Sequence, residues 1–148
     1  MSVFLDTSTL LYPLDRRDPE KRLAAKTWLI QLRDSDRLVL SPQVLNEAYS
    51  IVARKPGFAE ARPIVRDYLT ALMQWATAPL GSDTLAQAWS MQDRFGVQFW
   101  DGLLLASATL ARCRYFLSED LNHGQNYGSV VVLNPFHAAS HDVVSVSE

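Results

Sequence analysis

Four acidic side chains in this sequence stand where they could do chemistry, because each follows or flanks a short apolar segment. They are Asp6, Glu47, Asp101 and Asp120. Two carboxylates about 5 Å apart repel by roughly 3 kcal/mol at an effective dielectric of about 20, so a cluster of them requires a cation. Oxygen ligands with no clear histidine or cysteine among them favour Mg²⁺ or Mn²⁺ over zinc. Such an ion activates water and neutralises the charge that develops on a phosphodiester, which indicates phosphoryl chemistry.

The elements that would position these acids follow from the hydrophobic pattern. The predicted strands cover residues 2–5, 37–40, 115–117 and 130–133, with a brief edge strand at 77–80. The predicted helices cover residues 19–33, 42 to about 56, 59–76, 82–95 and 100–113. Short apolar strands separated by helices predict an α/β fold, with three α/β/α layers around a central, mostly parallel sheet.

The functional edge of such a sheet lies at the carboxyl ends of its strands. Asp6 ends the first predicted strand, and Asp120 follows the third with Ser118 between them. Glu47 lies two turns into the helix that leaves the second strand, so its side chain can lean over the same edge. Asp101 opens the most apolar helix, where the helix dipole favours an anion. We therefore expect the four carboxylates to converge.

Each acid also has a purely structural interpretation. Asp6 can cap a turn, Asp101 can be a charge at a helix N-terminus, and Glu47 can be a solvated helix residue. Asp101 argues most strongly for function, because a charge between Trp100 and a run of leucines needs a reason. The four positions taken together favour a site over four unrelated structural roles.

Length and composition predict one globular domain. The chain has 148 residues, of which 48% are hydrophobic types and 20% are charged, which excludes disorder and disulfide-scaffold classes. A formal net charge of −2 disfavours indiscriminate binding to nucleic acid. Arginine nevertheless supplies 11 of the 14 basic residues, and its planar group pairs well with phosphates. The lone cysteine, Cys113, is expected to be a buried small hydrophobe.

No membrane segment or signal sequence is expected. The longest apolar stretch, residues 102–111, is broken by Ser107 and Thr109 and is too short to cross a bilayer. Asp6 interrupts the first apolar run before a signal core forms. We therefore expect the protein to act in the cytoplasm.

Four ordered motifs together resemble the PIN-domain family, and within it the VapC-type toxin ribonucleases of type II toxin–antitoxin pairs. The motifs are residues 4–8, 41–47, 99–108 and 116–120. The resemblance spans about residues 2–136. It implies a nuclease domain at residues 1–136, followed by a polar and loose C-terminal tail at 137–148.

The resemblance implies a Mg²⁺- or Mn²⁺-dependent endoribonuclease whose metal-binding and catalytic acids are the four carboxylates named above. Ser118 matches the family's Ser or Thr that steadies the first-strand acid or a metal-bound water. Ser8 stands where many members have Asn. Glu119 adds a second acid beside Asp120, and the Ser-x-Asp spacing favours Asp120 as the one that faces the metal. His123, in the polar loop that follows, is either an RNA contact or simply solvated.

The resemblance also implies partners: an RNA substrate, a small antitoxin protein and a second copy of the chain in a homodimer. A physical reason to expect an antitoxin is that several apolar and aromatic residues are predicted to be exposed and could form its binding surface. They are Phe58, Tyr68, Trp75 and Trp89. Eight basic residues either grip RNA around the acidic centre or form solvated helix faces. They are Arg16, Arg17, Lys21, Arg22, Arg54, Lys55, Arg62 and Arg66.

Three other functions would place an acid after the first strand or share this fold. A phosphatase of the haloacid-dehalogenase type would need a second acid two residues after Asp6, where Ser8 stands. A non-catalytic PIN-like module that binds RNA or protein would have no need of all four acids. A housekeeping PIN nuclease without an antitoxin differs from a toxin only in its partner.

Overall fold

A five-stranded sheet forms the centre of the computed structural model, which describes residues 1–55 and 61–146. Its strands are β1 (Val3–Leu5), β2 (Leu38–Val39), β3 (Tyr115–Leu117), β4 (Asn126–Tyr127) and β5 (Val130–Leu133). The strand order is β2-β1-β3-β5-β4, and all neighbours pair in parallel except β4, which runs antiparallel to β5. This arrangement confirms the predicted α/β fold with a mostly parallel sheet.

Seven helices in the described residues complete the architecture. They are α1 (Thr7–Leu11), α2 (Pro19–Asp34), α3 (Pro42–Arg54), α4 (Arg62–Leu72), α5 (Ser82–Phe95), α6 (Phe99–Leu110) and α7 (Ser140–Val146). Short 3-10 turns extend α1 at Tyr12–Leu14 and α4 at Met73–Trp75. None of the helices in these ranges is long and apolar enough to cross a membrane.

The central strands are buried along their whole length, as a sheet covered on both faces requires. Every residue of β1 and β3 is buried, and Phe4 stacks on Phe116 with ring centroids 5.1 Å apart. The register aligns Leu5 with Leu117, so β1 and β3 end side by side. Whatever follows these two strands is therefore brought to the same edge of the sheet.

The helix that carries Asp101, α6, packs closely against α5. A Cβ atom added at Gly102 would lie 3.2 Å from the backbone oxygen of Ala88, so α5 and α6 approach closely only because position 102 lacks a side chain. The helix α5 ends at Gly96, whose φ of 67° is the left-handed conformation that favours glycine. Residues 102–108 of α6 are all buried, as its apolar sequence predicts.

Several predicted elements need correction. Residues 77–80 do not form a strand, although the Ala78 N–H donates to the Leu40 carbonyl at 3.0 Å. The sequence pattern missed α1 and β4. The helix expected at 59–76 is α4 with its 3-10 turn, and residues 59 and 60 lie outside the described residues.

The expectation of a loose tail from His137 was wrong over residues 140–146, which form α7. His141 stacks on the buried Trp28 with ring centroids 3.7 Å apart, and Val144 is buried in the core. Packing against α2 therefore orders a segment whose own composition is polar. Cys113 is buried, as predicted, and burial raises its thiol pKa to about 12.

Candidate active site

Asp6 lies directly after β1 and caps the helix α1. Its Oδ1 accepts a 2.9 Å hydrogen bond from the Thr9 N–H, which satisfies one of the free donors at the start of the helix. The side chain is only 5% exposed. Burial raises the Asp6 pKa to about 6, although hydrogen bonds from Thr9 and Ser118 act in the opposite direction. The nearby negative charge of Asp120 adds a smaller upward contribution.

Ser118 connects the acid after β1 with the acid after β3. The Asp6 N–H donates to the Leu117 carbonyl at 3.2 Å, which places Ser118 beside Asp6 at the sheet edge. The Ser118 side chain hydrogen-bonds Asp6, and its Oγ accepts a 3.1 Å bond from the Asp120 N–H. Ser8 also reaches Asp120, with its Oγ 3.4 Å from Oδ2. The structure therefore brings Asp6, Ser118 and Asp120 together.

Glu47 is fixed by one donor on each of its carboxylate oxygens. Its Oε2 accepts a 2.8 Å hydrogen bond from the Thr7 hydroxyl, and its Oε1 accepts one of the same length from the Gln43 amide. Helix α3 begins at this edge because Ser41 caps it, accepting from the Val44 N–H at 3.2 Å. Glu47 is therefore oriented rather than free to rotate in solvent.

Asp101 lies in the first turn of α6 and is half-buried. Burial raises its pKa, and the negative charges of Asp120 and Glu47 raise it further. Asp101 therefore lies close enough to Asp120 and Glu47 for their charges to affect its pKa. Asp120 is likewise close enough to Asp6 to affect the pKa of Asp6. The four acids predicted from the sequence share one edge of the sheet.

Glu119 points away from this cluster. One of its carboxylate oxygens accepts from the Tyr12 hydroxyl, and the other forms a 2.8 Å ion pair with the Lys21 ammonium group. These partners belong to the 3-10 turn after α1 and to α2, so Glu119 joins that region to the end of β3. That Asp120 faces the metal stays a prediction, and the engagement of Glu119 by Tyr12 and Lys21 favours it.

Two neighbours of Glu47 were missed in the sequence, and each has a signal that points to it. Gln43 stands four residues before Glu47, the spacing at which side chains on one helix face meet. Thr7 follows Asp6 directly, and α1 turns its hydroxyl toward α3. Both residues position the carboxylate without adding charge.

The donor set fits a hard divalent cation in its chemistry. All the candidate ligands are oxygens, and the pKa values of Asp6 and Asp101 are raised, first by burial and further by neighbouring negative charge, which a cation would offset. Across residues 1–55 and 61–146, no group of three or more acidic, histidine or cysteine side chains is arranged so that it could hold a metal ion. The carboxylates do not form a closed protein cage in this arrangement; Mg²⁺, which keeps several water ligands, is commonly bound through only one or two carboxylates.

The polar loop after β3 has an internal structure of its own. His123 Nδ1 accepts a 2.9 Å hydrogen bond from the Asn134 N–H, and its ring stacks on His137 with centroids 4.2 Å apart. Asn122 donates to Gln125 at 2.8 Å. These contacts give His123 a structural role in holding the loop against the end of β5.

Many of the basic residues considered as an RNA-binding rim contact the protein itself. Arg17 pairs with Asp15 at 2.8 Å, and Lys21 pairs with Glu119. The guanidinium groups of three others donate within the chain: Arg22 to the Pro13 carbonyl, Arg54 to the Ser50 carbonyl, and Arg66 to the Tyr49 hydroxyl. Carboxylates compensate the charges of Arg17 and Lys21, whereas Arg22, Arg54 and Arg66 donate to uncharged oxygens.

The aromatic residues predicted to be exposed differ in how far the structure buries them. Tyr68 is half-buried and donates a 2.7 Å hydrogen bond to the Leu10 carbonyl, while Trp75 packs against the core. Trp89 is 54% exposed on α5. Phe58 lies outside the described residues. Of the four residues predicted to be exposed for binding a partner, Trp89 is therefore the one that the described part of the chain leaves exposed.

Solved structures resemble the fold across most of the chain. The crystal structure of FitAcB from Neisseria gonorrhoeae gives a TM-score of 0.64 at 22% identity, covering 91% of this chain and 99% of that one. The crystal structure of VapC20 from Mycobacterium tuberculosis, a sarcin-ricin loop cleaving toxin, gives 0.55 at 20% identity, covering 78% and 87%. No curated protein matches the sequence significantly. The family model for the PIN domain matches residues 3–127, most of the chain, so this protein belongs to the PIN domain family.

Proposed function

We propose that this protein is a divalent-metal-dependent endoribonuclease that hydrolyses RNA phosphodiester bonds, and that it is the toxin of a type II toxin–antitoxin pair. The observation that carries the proposal is the convergence of carboxylates at the carboxyl edge of a PIN-domain sheet, where burial and the nearby negative charges raise the pKa values of Asp6 and Asp101. The solved neighbours support the substrate and partner, because one is described as a toxin that cleaves the sarcin-ricin loop.

Asp6, Glu47, Asp101 and Asp120 are the residues that would hold Mg²⁺ or Mn²⁺. A bound ion of this kind supplies an activated water and neutralises charge on the phosphodiester. Ser118 keeps Asp6 and Asp120 in register through its hydrogen bonds to both. Thr7 and Gln43 orient Glu47, so that its charge faces the cluster when substrate arrives.

The activity is tested on purified protein with single-stranded RNA in Mg²⁺ or Mn²⁺. Cleavage is expected to leave 5′-phosphate ends, to stop in EDTA, and to be lost in Asp6→Asn and Asp101→Asn. The matched control is Asp83→Asn, which neutralises an exposed acid in the first turn of α5. Cleavage that survives EDTA and Asp6→Asn would contradict the proposed site.

The proposed partners are a small antitoxin and a second copy of this chain. Expression of the protein alone is expected to arrest cell growth by cutting cytoplasmic RNA, and co-expression with a candidate antitoxin, sought among small reading frames adjacent to its gene, is expected to relieve the arrest. The two proteins should co-purify, with the chain as a dimer by light scattering. If the protein is harmless alone and recovers no small partner, a PIN nuclease without an antitoxin is the better description.

A further inference from the structure

A cleft of about 370 Å³ opens directly beside the acidic site. Its lining residues are Gln43, Glu47, Ser50, Ile51, Arg54 and Trp100. Glu47 belongs both to this cleft and to the group of acids, and Trp100 precedes Asp101 in the chain. A ligand in the cleft would therefore lie next to the proposed position of the reacting phosphodiester.

One wall of the cleft is an aromatic surface. Trp100 is 58% exposed, in contrast to Trp28, which is 1% exposed and part of the core. The rings of Trp100 and Phe99 meet edge to face at 69°, with centroids 5.3 Å apart, and Phe99 packs against a small cluster that includes Leu103. The contact with Phe99 supports the indole, while much of its surface remains accessible to a flat ligand.

The other wall is a single face of α3. Positions 43, 47, 50, 51 and 54 follow the helical repeat, and they supply an amide, a carboxylate, a hydroxyl, an apolar side chain and a guanidinium group in that order. The Arg54 Nε donates to the Ser50 carbonyl at 3.1 Å, which holds the exposed cation along the last turn of the helix. An aromatic ring and an aliphatic side chain that line one cleft together with a cation suit a nucleobase joined to a phosphate.

From this geometry we infer that the cleft is a subsite for one unpaired nucleotide of the RNA, whose base stacks on Trp100 and whose phosphate contacts Arg54. The inference rests on the proposed ribonuclease function and adds the binding position of a nucleotide next to the cleaved bond. Stacking of bases on aromatic side chains is typical of single-stranded RNA recognition, because unpaired bases expose their faces. The subsite therefore selects single-stranded or loop RNA.

The test compares Trp100→Ala and Trp100→Phe with the wild type on one RNA oligonucleotide whose cleavage position has been mapped. Loss of the stacking surface is expected to raise KM about fivefold to 100-fold, with kcat nearly unchanged, and Phe is expected to restore most of the loss. Trp89→Ala is the matched control, since Trp89 is similarly exposed but lies on α5 outside the cleft, and the purified chain is assayed without the antitoxin that Trp89 would contact. It should leave both constants unchanged.

A second arm removes the base instead of the indole. RNAs that carry one abasic nucleotide are scanned across the cleavage region, and one position is expected to reproduce the KM rise in the wild type. At that position, Trp100→Ala should cause no further rise, because both changes remove the same contact. A general folding defect would instead reduce cleavage of every RNA equally.

Several outcomes would overturn the inference. An unchanged KM in Trp100→Ala, or an equal loss on intact and abasic RNAs, would show that no base stacks there. A shift from dimer to monomer in Trp100→Ala would show that a second copy of the chain covers the ring. If the wild type cleaves RNA in any of these cases, only the nucleotide subsite fails; if it cleaves no RNA, the subsite and the proposed function fail together.

Discussion

The hydroxyl of Thr7 donates a 2.8 Å hydrogen bond to Oε2 of Glu47, joining the helix that follows β1 to the helix that follows β2. Forty residues separate the two partners in the chain. Because Gln43 occupies the other carboxylate oxygen, Glu47 has its orientation set from two directions. The carboxylate is therefore held in place by neutral donors, which do not compete with a cation for its charge.

Removal of the Thr7 hydroxyl is expected to weaken activity while leaving the fold intact. Thr7→Val keeps the shape of this buried side chain and takes away the donor, so RNA cleavage and Mg²⁺ affinity should fall by about 10-fold to 100-fold. Thr7→Ser keeps a hydroxyl and should retain most of the activity. The matched control is Thr27→Val on α2, whose hydroxyl only bonds the Leu23 carbonyl. Equal activity in Thr7→Val and Thr27→Val would refute the positioning role.

Metal binding is expected to stabilise the folded protein. Ions that bind only the folded state raise its melting temperature by mass action. Mg²⁺ or Mn²⁺ should therefore raise the Tm of the wild type and of Asp83→Asn by similar amounts, and that of Asp101→Asn by much less. The measurement is a thermal melt over a metal titration. Identical Tm shifts in all three proteins would place the ion elsewhere.

The buried carboxylate of Asp6 is expected to make stability depend on pH when metal is removed. Its pKa rises from an ordinary value of 3.8 to about 6 on folding, so its stabilising contribution is complete below pH 3.8 and is lost as the pH rises through 6. In EDTA, Asp6→Asn should thus become more stable than the wild type, by on the order of 3 kcal/mol above pH 7.

The check for this pH dependence is denaturant unfolding at a series of pH values. Asp34→Asn, on the exposed side of α2, serves as a control and should follow the wild type throughout. An Asp6→Asn advantage that stays constant from pH 4 to 7 would contradict the assignment of the pKa to Asp6. Addition of Mg²⁺ should reduce the advantage, because a cation favours the charged form of the wild-type side chain.

Glu119 and Asp120 are neighbours with different expected roles. Glu119→Gln weakens a partly exposed ion pair with Lys21, so unfolding stability should change by about 1 kcal/mol or less and RNA cleavage should persist. Asp120→Asn should abolish cleavage with little effect on stability. Assays of both variants on the same RNA decide between them. Loss of activity in Glu119→Gln with activity retained in Asp120→Asn would reverse the assignment.

The parts of the fold that could be predicted from sequence are those whose pattern is set by burial. The strands β1, β3 and β5 are almost wholly apolar because helices cover both faces of the sheet, and α6 is apolar for the same reason. The candidate acids could be located because the strands before Asp6 and Asp120 are parallel neighbours. Their convergence follows from topology alone.

The elements that were missed depend on contacts distant in sequence. Helix α1 has only five residues and begins with the Asp6 cap, while β4 has two residues that extend because they pair with β5. Helix α7 is polar, and it is ordered by packing on Trp28. The direction of Glu119 depends on Lys21, which lies 98 residues away in the chain. Local pattern contains no information about such pairs.

The position of β1 between β2 and β3 has a consequence for how the protein is made. Among the strands of this domain, β1 is synthesised before the others and lies in the centre of the sheet, while its neighbour β3 follows more than a hundred residues later; the Ser8–Asp120 hydrogen bond spans 112 positions. A nascent chain that ends before β3 contains Asp6, Glu47 and Asp101 but lacks β3, Ser118 and Asp120. The acidic site thus closes only after nearly the whole domain has been translated, and a truncated product has no assembled site with which to attack RNA.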